Sequence, residues 1–172
     1  PNGDLSSLGG YMMAKFLWDT SYDENRAMNE FIEGVYGPAG KFIRQYVDLL
    51  HDKVAKDNIH MQIWIGPNVP FLTDEIVAKA NGLWEQAEAA VAKQPDVLER
   101  VKFARLSLDY AIVERARMKA GKNSSPADAF VKAAAERLFT LGKRAGVRTI
   151  REASTPLEQY RKTCDTILGP AQ

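Results

Sequence analysis

Apolar residues recur at intervals of three and four positions along almost the whole chain. That spacing collects them on one face of an α-helix, whereas a half-buried strand needs an apolar residue at every second position. Glycine, proline and short polar residues divide the pattern into segments. The sequence therefore predicts an all-α fold, a bundle of about seven helices with one short β element.

Capping signals and apolar stripes set the bounds of the predicted helices. The first helix is predicted at about 5–18, and the segment 96–119 is predicted as one helix packed on both sides, because it carries two nearly opposite apolar stripes. A short polar side chain before a helix can accept hydrogen bonds from its first amides. The predicted capping residues are Asp4, Asp23, Thr73, Ser125 and Thr155.

One stretch, "NIHMQIWIG" at 58–66, alternates instead of following the helical period. This alternation predicts a short strand over 59–65, whose backbone groups need hydrogen-bond partners. The only other segment suited to an extended conformation is 147–151, so one possibility is that the two pair as a ribbon. The sequence leaves open the alternatives that 59–65 packs on another domain, pairs with a second copy of the chain, or is hydrated. Ile59, Met61, Ile63 and Ile65 fall on one side of the predicted strand, and His60, Gln62 and Trp64 fall on the other.

The polar side of this predicted strand supplies the candidate binding residues. Sugar-binding sites often use tryptophan, histidine and glutamine, and an exposed indole indicates a ligand or partner surface. The candidate substrate-binding residues are Trp64, His60 and Gln62. The alternative is that this face only covers another helix. Trp18 lies at the end of a helix and Trp84 lies on an apolar stripe, and both are predicted to pack in the core or at a helix junction.

Groups suited to catalysis or metal binding do not converge in the sequence. Asp48, His51 and Asp52 share a helix face, yet such mixtures are more often solvated surface than a metal site. The pair Glu30 and Glu33 is interpreted in the same way, as the wet face of a helix. No phosphate loop, nucleophile elbow or zinc-helix motif occurs. We predict no catalytic residue, no bound metal and no cofactor.

Composition excludes several classes of protein. The 172 residues are 45% hydrophobic, which suits a single domain over 1–172 with a real core. Lys and Arg number 23 against 22 Asp and Glu, so no basic excess favours nucleic acid. The one cysteine, Cys164, excludes an internal disulfide and is predicted to be a buried apolar group. No apolar run reaches the length of a membrane span.

The stretch 8–52 resembles a known protein family. The matching features are Tyr11, "AKFLWD" at 14–19, "EFIEGVYGPAG" at 30–40 and Tyr46. They are similar to the C-terminal region of the carbohydrate-active proteins called domain of unknown function 4838, grouped with glycoside hydrolase family 163. Weaker similarity continues to about residue 117. The Trp-Asp step at 18–19 also resembles the region after the barrel in the α-glucuronidases.

This resemblance implies a parent enzyme with a (β/α)8-like barrel, in which two carboxylates cleave a glycosidic bond, as in an endo-β-N-acetylglucosaminidase. Residues 1–19 would resemble the last helix of the barrel, and 20–172 would form a helical domain. The catalytic carboxylates would lie before residue 1, so this segment alone is expected to be inactive. The resemblance also implies a location outside the cytoplasm, either periplasmic or at the cell surface.

Three hypotheses for function follow. The first is a non-catalytic C-terminal domain of a glycan-degrading hydrolase, which buttresses the upstream barrel and meets glycan only through that parent. The second is an interaction module that dimerises or docks a partner through the wide apolar surface of the first helix. The third is a carbohydrate-binding module that uses Trp64. The apolar residues of the first helix are Leu5, Leu8, Met12, Met13, Phe16 and Leu17.

Overall fold

A computed structural model describes residues 5–62, 65–121, 126–150 and 155–169. Most of these residues are helical, and the one sheet among them has two short strands, which confirms the all-α class with a small β element. The chain divides into two compact units, an N-terminal unit that ends at Arg105 and a C-terminal unit that begins at Leu106. The prediction of a single domain over 1–172 stays a prediction.

The N-terminal unit is a series of helices that pack on one another in chain order. α1 packs on α2, α2 on α3, and α3 on α4, while α5 packs on both α2 and α4. Fully buried side chains of Ile32, Ile43, Trp84 and Val101 form its centre. The helices are α1 (Ser6–Trp18), α2 (Glu24–Tyr36), α3 (Gly40–Lys56), α4 (Asp74–Ala90) and α5 (Pro95–Ala104).

Local chemistry explains how these helices begin and turn. The Asp23 side chain accepts a hydrogen bond from the Arg26 amide, and Thr73 accepts one from the Ile76 amide, as the two caps require. Between α2 and α3, Gly37 adopts φ 50°, which favours glycine. A Cβ atom at Gly40 would lie 3.2 Å from both the side chain and the carbonyl oxygen of Ile32. The "YGPAG" segment is therefore a tight turn between two closely packed helices.

The C-terminal unit is built around α6, which packs on α7 and α9. The strands β1 and β2 form an antiparallel pair in which Thr149 faces Pro156 and Ile150 faces Thr155. The elements are α6 (Leu106–Ala120), α7 (Ala129–Arg144), β1 (Thr149–Ile150), β2 (Thr155–Pro156), α8 (Leu157–Thr163) and α9 (Asp165–Leu168).

One of the possibilities left open by the sequence, a ribbon of 59–65 with 147–151, does not form among the described residues. Thr149–Ile150 pairs with Thr155–Pro156 instead, a partner only a few residues away whose loop closes at a smaller entropic cost. Residues 59–62 and 65 belong to no strand, and Ile63 and Trp64 lie outside the described residues. Alternation of apolar and polar residues over a short stretch shows which side chains would share a face of a strand. It does not show whether another strand lies beside the stretch to accept its backbone hydrogen bonds.

The predicted single helix over 96–119 is also wrong, because it ends at Ala104 and resumes at Leu106. The residue at the break, Arg105, is buried, and its guanidinium donates to Glu88 Oε1 at 2.8 Å and to Asn81 Oδ1 at 2.6 Å. A buried guanidinium needs such partners. The periodicity of apolar residues carries no information about these contacts, so it did not reveal the break.

Two of the predicted capping positions are corrected. Thr155 lies in β2, and α8 begins after it at Leu157 without a side-chain cap. α7 begins at Ala129, where the Asp128 carboxylate accepts a hydrogen bond from the Val131 amide at 2.9 Å. The predicted cap Ser125 lies outside the described residues. A nearby residue, Asp128, therefore caps α7, whereas α8 begins directly after a strand with no side-chain cap.

The two-sided packing predicted for the second half of 96–119 is confirmed in α6, and it buries two carboxylates. Asp109 receives two nitrogen donors from Arg137, the shorter at 2.7 Å. Glu114 receives two from Arg117 at 2.7 Å and the Tyr160 hydroxyl at 2.9 Å. Burial raises the pKa of Tyr160 above its usual value, so the phenol remains a donor to Glu114.

We expect Asp109→Asn to lower the free energy of unfolding by about 3 kcal/mol, because it leaves the Arg137 guanidinium without its buried counter-charge. Urea denaturation followed by circular dichroism measures the change. Asp128→Asn is the matched control, since Asn is an equally good helix cap at that exposed position. Equal losses in the two variants would contradict the importance of the buried pair.

Candidate functional site

The structure does not assemble a site from the predicted binding residues. His60 and Gln62 are exposed in the irregular segment between α3 and α4, and Trp64 lies outside the described residues. Among the described residues of this segment, the Ile59 amide donates to the Val54 carbonyl at 3.0 Å and the Ile65 amide donates to the Gln62 carbonyl at 3.3 Å, which are turn contacts and not a strand pairing. Sugar binding by Trp64, His60 and Gln62 stays a prediction.

Carboxylates in the described residues are tied up in ion pairs or lie apart. No group of three or more His, Cys, Asp or Glu residues with the arrangement of a metal site occurs in the ranges described. Asp48 is bound to Arg44 at 2.9 Å, while His51 and Asp52 are exposed. The buried carboxylates Asp109 and Glu114 each face an arginine. That arrangement is typical of a structural ion pair. A general acid or base has to reach the substrate, and a buried carboxylate bound to an arginine is poorly placed to do so.

An open groove of about 570 Å³ lies between α3 and α4. Leu49 and Leu83 supply apolar lining, and glutamine, aspartate and lysine side chains supply the rest. Two of those charges are already paired, Asp48 with Arg44 and Lys79 with Glu75. The groove lacks an aromatic platform for a sugar and a convergent set of charges, so it is a weak candidate for ligand binding.

The outer side of α1 presents the clearest functional feature of the N-terminal unit. Met13, 66% exposed, and Leu17, 81% exposed, lie on this side, and Trp18, 93% exposed, follows at the end of the helix about 100° further round its axis. We name these three residues the α1 apolar face. The opposite side of the helix packs on α2, with Leu8 buried and the Tyr11 ring 5.4 Å from that of Phe31. α1 is therefore apolar on both sides, and only one side is covered within this chain's described residues.

Internal packing was predicted for Trp18 and Trp84, and the two tryptophans differ in the structure. Trp84 is fully buried in α4, with its ring centroid 5.1 Å from that of Tyr46, as predicted. Trp18 is almost fully exposed, so that prediction is wrong. Its position at the last turn of α1, where the chain leaves toward α2, turns the indole away from the unit's core.

A carboxylate on α2 holds α1 from its inner side. Glu30 accepts hydrogen bonds from the Tyr11 hydroxyl at 3.0 Å, the Tyr22 hydroxyl at 2.7 Å and Arg26 Nε at 3.0 Å. Lys15 Nζ lies 3.3 Å from the same carboxylate and 4.7 Å from the centroid of the Tyr22 ring. We name this group of five residues the Glu30 clasp. It links α1, the turn after it and α2.

The clasp shifts the titration of its own members. The hydrogen bond from Tyr22 is the main cause that lowers the pKa of Glu30 from 4.5 to about 2. Desolvation acts in the opposite direction, and the hydrogen bonds from Tyr11, Arg26 and Lys15 lower the pKa further. The hydrogen bond with Tyr11 is the main cause that raises the pKa of Lys15 above its usual value. Desolvation lowers this pKa, and the contact with Glu30 raises it further. Both groups therefore stay charged at neutral pH, and a Glu30 held ionised does not act as a general acid.

The interpretation of Glu30 as plain solvated surface is wrong, although its neighbour Glu33 is exposed. The missed signal was the spacing of four between Tyr11 and Lys15 and between Arg26 and Glu30, which puts each pair on one helix face. That spacing could have suggested a polar contact on each helix. It could not show that the two faces meet, because the turn at 19–23 decides how α1 and α2 are joined.

A family model described as Domain of unknown function (DUF4838) matches residues 1–48. The match spans α1, α2 and part of α3, and so includes every residue of the α1 apolar face and of the Glu30 clasp. No curated protein and no solved structure matches the chain. The match supports the resemblance to that family, while the links to glycoside hydrolase family 163 and to the α-glucuronidases stay predictions.

None of the helices in the described part of the chain combines the length and the apolar character that a membrane span requires. The exposed apolar side chains of α1 lie on a helix of 13 residues. Neighbouring exposed apolar side chains can mark a contact surface.

The Glu30 clasp makes stability depend on acid pH. Because the pKa of Glu30 falls from 4.5 to about 2 on folding, its contribution is present above pH 4.5 and disappears as the pH falls toward about 2. Glu30→Gln imitates the protonated side chain. We therefore expect wild type to be more stable than Glu30→Gln at about pH 7, and the difference to shrink through this window.

Urea midpoints of both proteins at about pH 7, 4 and 2.5 measure the difference. Glu33→Gln, the same change one turn along α2, should show little difference from wild type at any of these values. A gap between wild type and Glu30→Gln that stays constant down to pH 2.5 would contradict the assignment.

Proposed function

We propose that this chain is a non-catalytic helical domain of a glycan-degrading glycoside hydrolase, and that it buttresses the catalytic barrel of that enzyme. In this proposal α1 is the point of attachment, and its apolar face is covered by the barrel. The parent is an endo-β-N-acetylglucosaminidase-like enzyme that works outside the cytoplasm, as the resemblance implies. The catalytic carboxylates belong to the barrel, so this chain supplies structure and no chemistry.

The observation that carries the proposal is the α1 apolar face. Single exposed apolar side chains are ordinary on protein surfaces, but Met13, Leu17 and Trp18 occupy adjacent positions on one short helix. Trp18 adjoins the other two at the end of the helix, and exposed tryptophan is a typical anchor of an interface. The same residues fall within the stretch matched by the DUF4838 family model, which supports a role shared with that family.

The size of the face favours a partner that is tethered to this chain over a second copy of it. α1 has 13 residues, so the helix is about 20 Å long, and its three exposed apolar side chains together offer roughly 500 Å². A stable interface between separate proteins usually buries about 800 Å² on each partner. A covalently linked partner has a high effective concentration and can be held by a smaller contact. A barrel in the same polypeptide meets this condition.

A binding experiment tests the proposal. The catalytic barrel of the parent enzyme is produced separately, mixed with this chain, and analysed by light scattering behind a sizing column. We expect a one-to-one complex, and higher glycosidase activity than the barrel has alone. Leu17→Ser with Trp18→Ser should weaken the complex at least about tenfold, because each lost apolar contact is worth about 1.5–3 kcal/mol when fully buried.

Met118→Ser is the matched control, since it removes an exposed apolar side chain from α6 in the C-terminal unit. It should bind the barrel like wild type. Absence of any complex, or equal binding by the Leu17 and Trp18 double variant, would contradict the proposal. A dimer of this chain alone, lost in the double variant, would instead support the interaction-module hypothesis.

A further inference from the structure

α1 is attached to the N-terminal unit mainly through α2. Part of that attachment is apolar, through Leu8 and through the contact of the Tyr11 and Phe31 rings. The polar part converges on one carboxylate, because both polar side chains that α1 directs toward α2, Tyr11 and Lys15, reach Glu30. A single residue of α2 thus contacts two successive turns of α1.

The Glu30 carboxylate uses its full capacity in these contacts. Two carboxylate oxygens offer about four acceptor positions, and Tyr11, Lys15, Tyr22 and Arg26 supply four donors. Two donors come from α1, one from the turn and one from α2 itself. Charged and neutral donors together make these hydrogen bonds stronger than neutral ones alone. The carboxylate therefore joins three consecutive segments of the chain.

The positions of the donors on α1 also fix its rotation. Met13 and Leu17 each lie two residues after a residue bound to Glu30, which is about 200° of rotation around the helix axis. They consequently point to the side opposite the clasp, in agreement with their exposure. Since Tyr11 and Lys15 are one turn apart, contacts from both oppose rolling of α1 as well as its tilting away from α2.

We infer that Glu30 is the positioning residue of the α1 apolar face: it fixes the rotation of α1 on α2, so that Met13 and Leu17 are presented to the partner on the side opposite the clasp, with Trp18 beside them at the end of the helix. This inference rests on the proposed function for the identity of that partner. Glu30 acts through α1 and makes no contact with the partner itself. Holding the helix in its bound orientation before docking lowers the entropic cost of the contact.

Glu30→Gln in the full chain tests the inference by two independent readouts. Hydrogen–deuterium exchange should become at least about tenfold faster for amides in the second half of α1, with α3 and α4 unchanged. The affinity for the catalytic barrel of the parent enzyme should fall at least about tenfold, although the apolar face itself is intact. Glu33→Gln, the same change at an exposed position of α2, should leave both quantities within about twofold of wild type.

A second variant separates positioning from direct contact. Leu8→Ala loosens the buried side of α1 without altering Glu30, and it should also speed exchange in α1 and weaken barrel binding. Normal binding by Leu8→Ala, with α1 loosened, would show that Glu30 touches the partner directly and would overturn the inference. Exchange of α1 in Glu30→Gln within twofold of wild type would overturn it as well.

The two proposals can fail separately. If wild type does not bind the barrel, the proposed function is lost, and the exchange of α1 in Glu30→Gln alone decides whether Glu30 positions the helix. If wild type binds and Glu30→Gln binds equally well, the proposed function stands and the positioning role is lost.

Discussion

The carboxylate of Glu30 joins α1, the turn that follows and α2 through four donors. Without it, α1 would be held on the unit mainly by Leu8 and by the contact of the Tyr11 and Phe31 rings. Only one side of α1 packs on the unit, so the other side adds no buried contacts that hold the helix in place. The hydrogen bonds to Glu30 therefore matter for the orientation of α1. Under the proposed function, the clasp sets the direction in which Met13 and Leu17 are exposed.

Buried charge has a different role in the C-terminal unit. α6 lies among its neighbours with apolar residues on two sides, so its polar residues Asp109 and Glu114 have no route to water. Each is neutralised by an arginine, from α7 for Asp109 and from α6 itself for Glu114. Such pairs cost desolvation energy and add little net stability, but they are expensive to break. They fix the packing of α6 and are closed to substrate.

The functional proposal combines a surface with a resemblance. The α1 apolar face indicates a partner, and the DUF4838 match of residues 1–48 connects that helix with a protein family. The small area of the face favours a partner in the same polypeptide, which agrees with the expectation of an upstream barrel. The hypothesis of sugar binding through Trp64, His60 and Gln62 depends on a strand that residues 59–62 do not form.

The sequence by itself determined the helical class, most of the helices and the caps at Asp23 and Thr73, because these follow from the spacing of apolar residues and from hydrogen bonds within a few positions. Only the tertiary structure decided the partner of β1, the break at Arg105 and the roles of Trp18 and Glu30. Each of these depends on groups distant along the chain, or on which side of a helix a neighbour occupies. Periodicity shows that a helix has an apolar side, but only packing shows which side is covered.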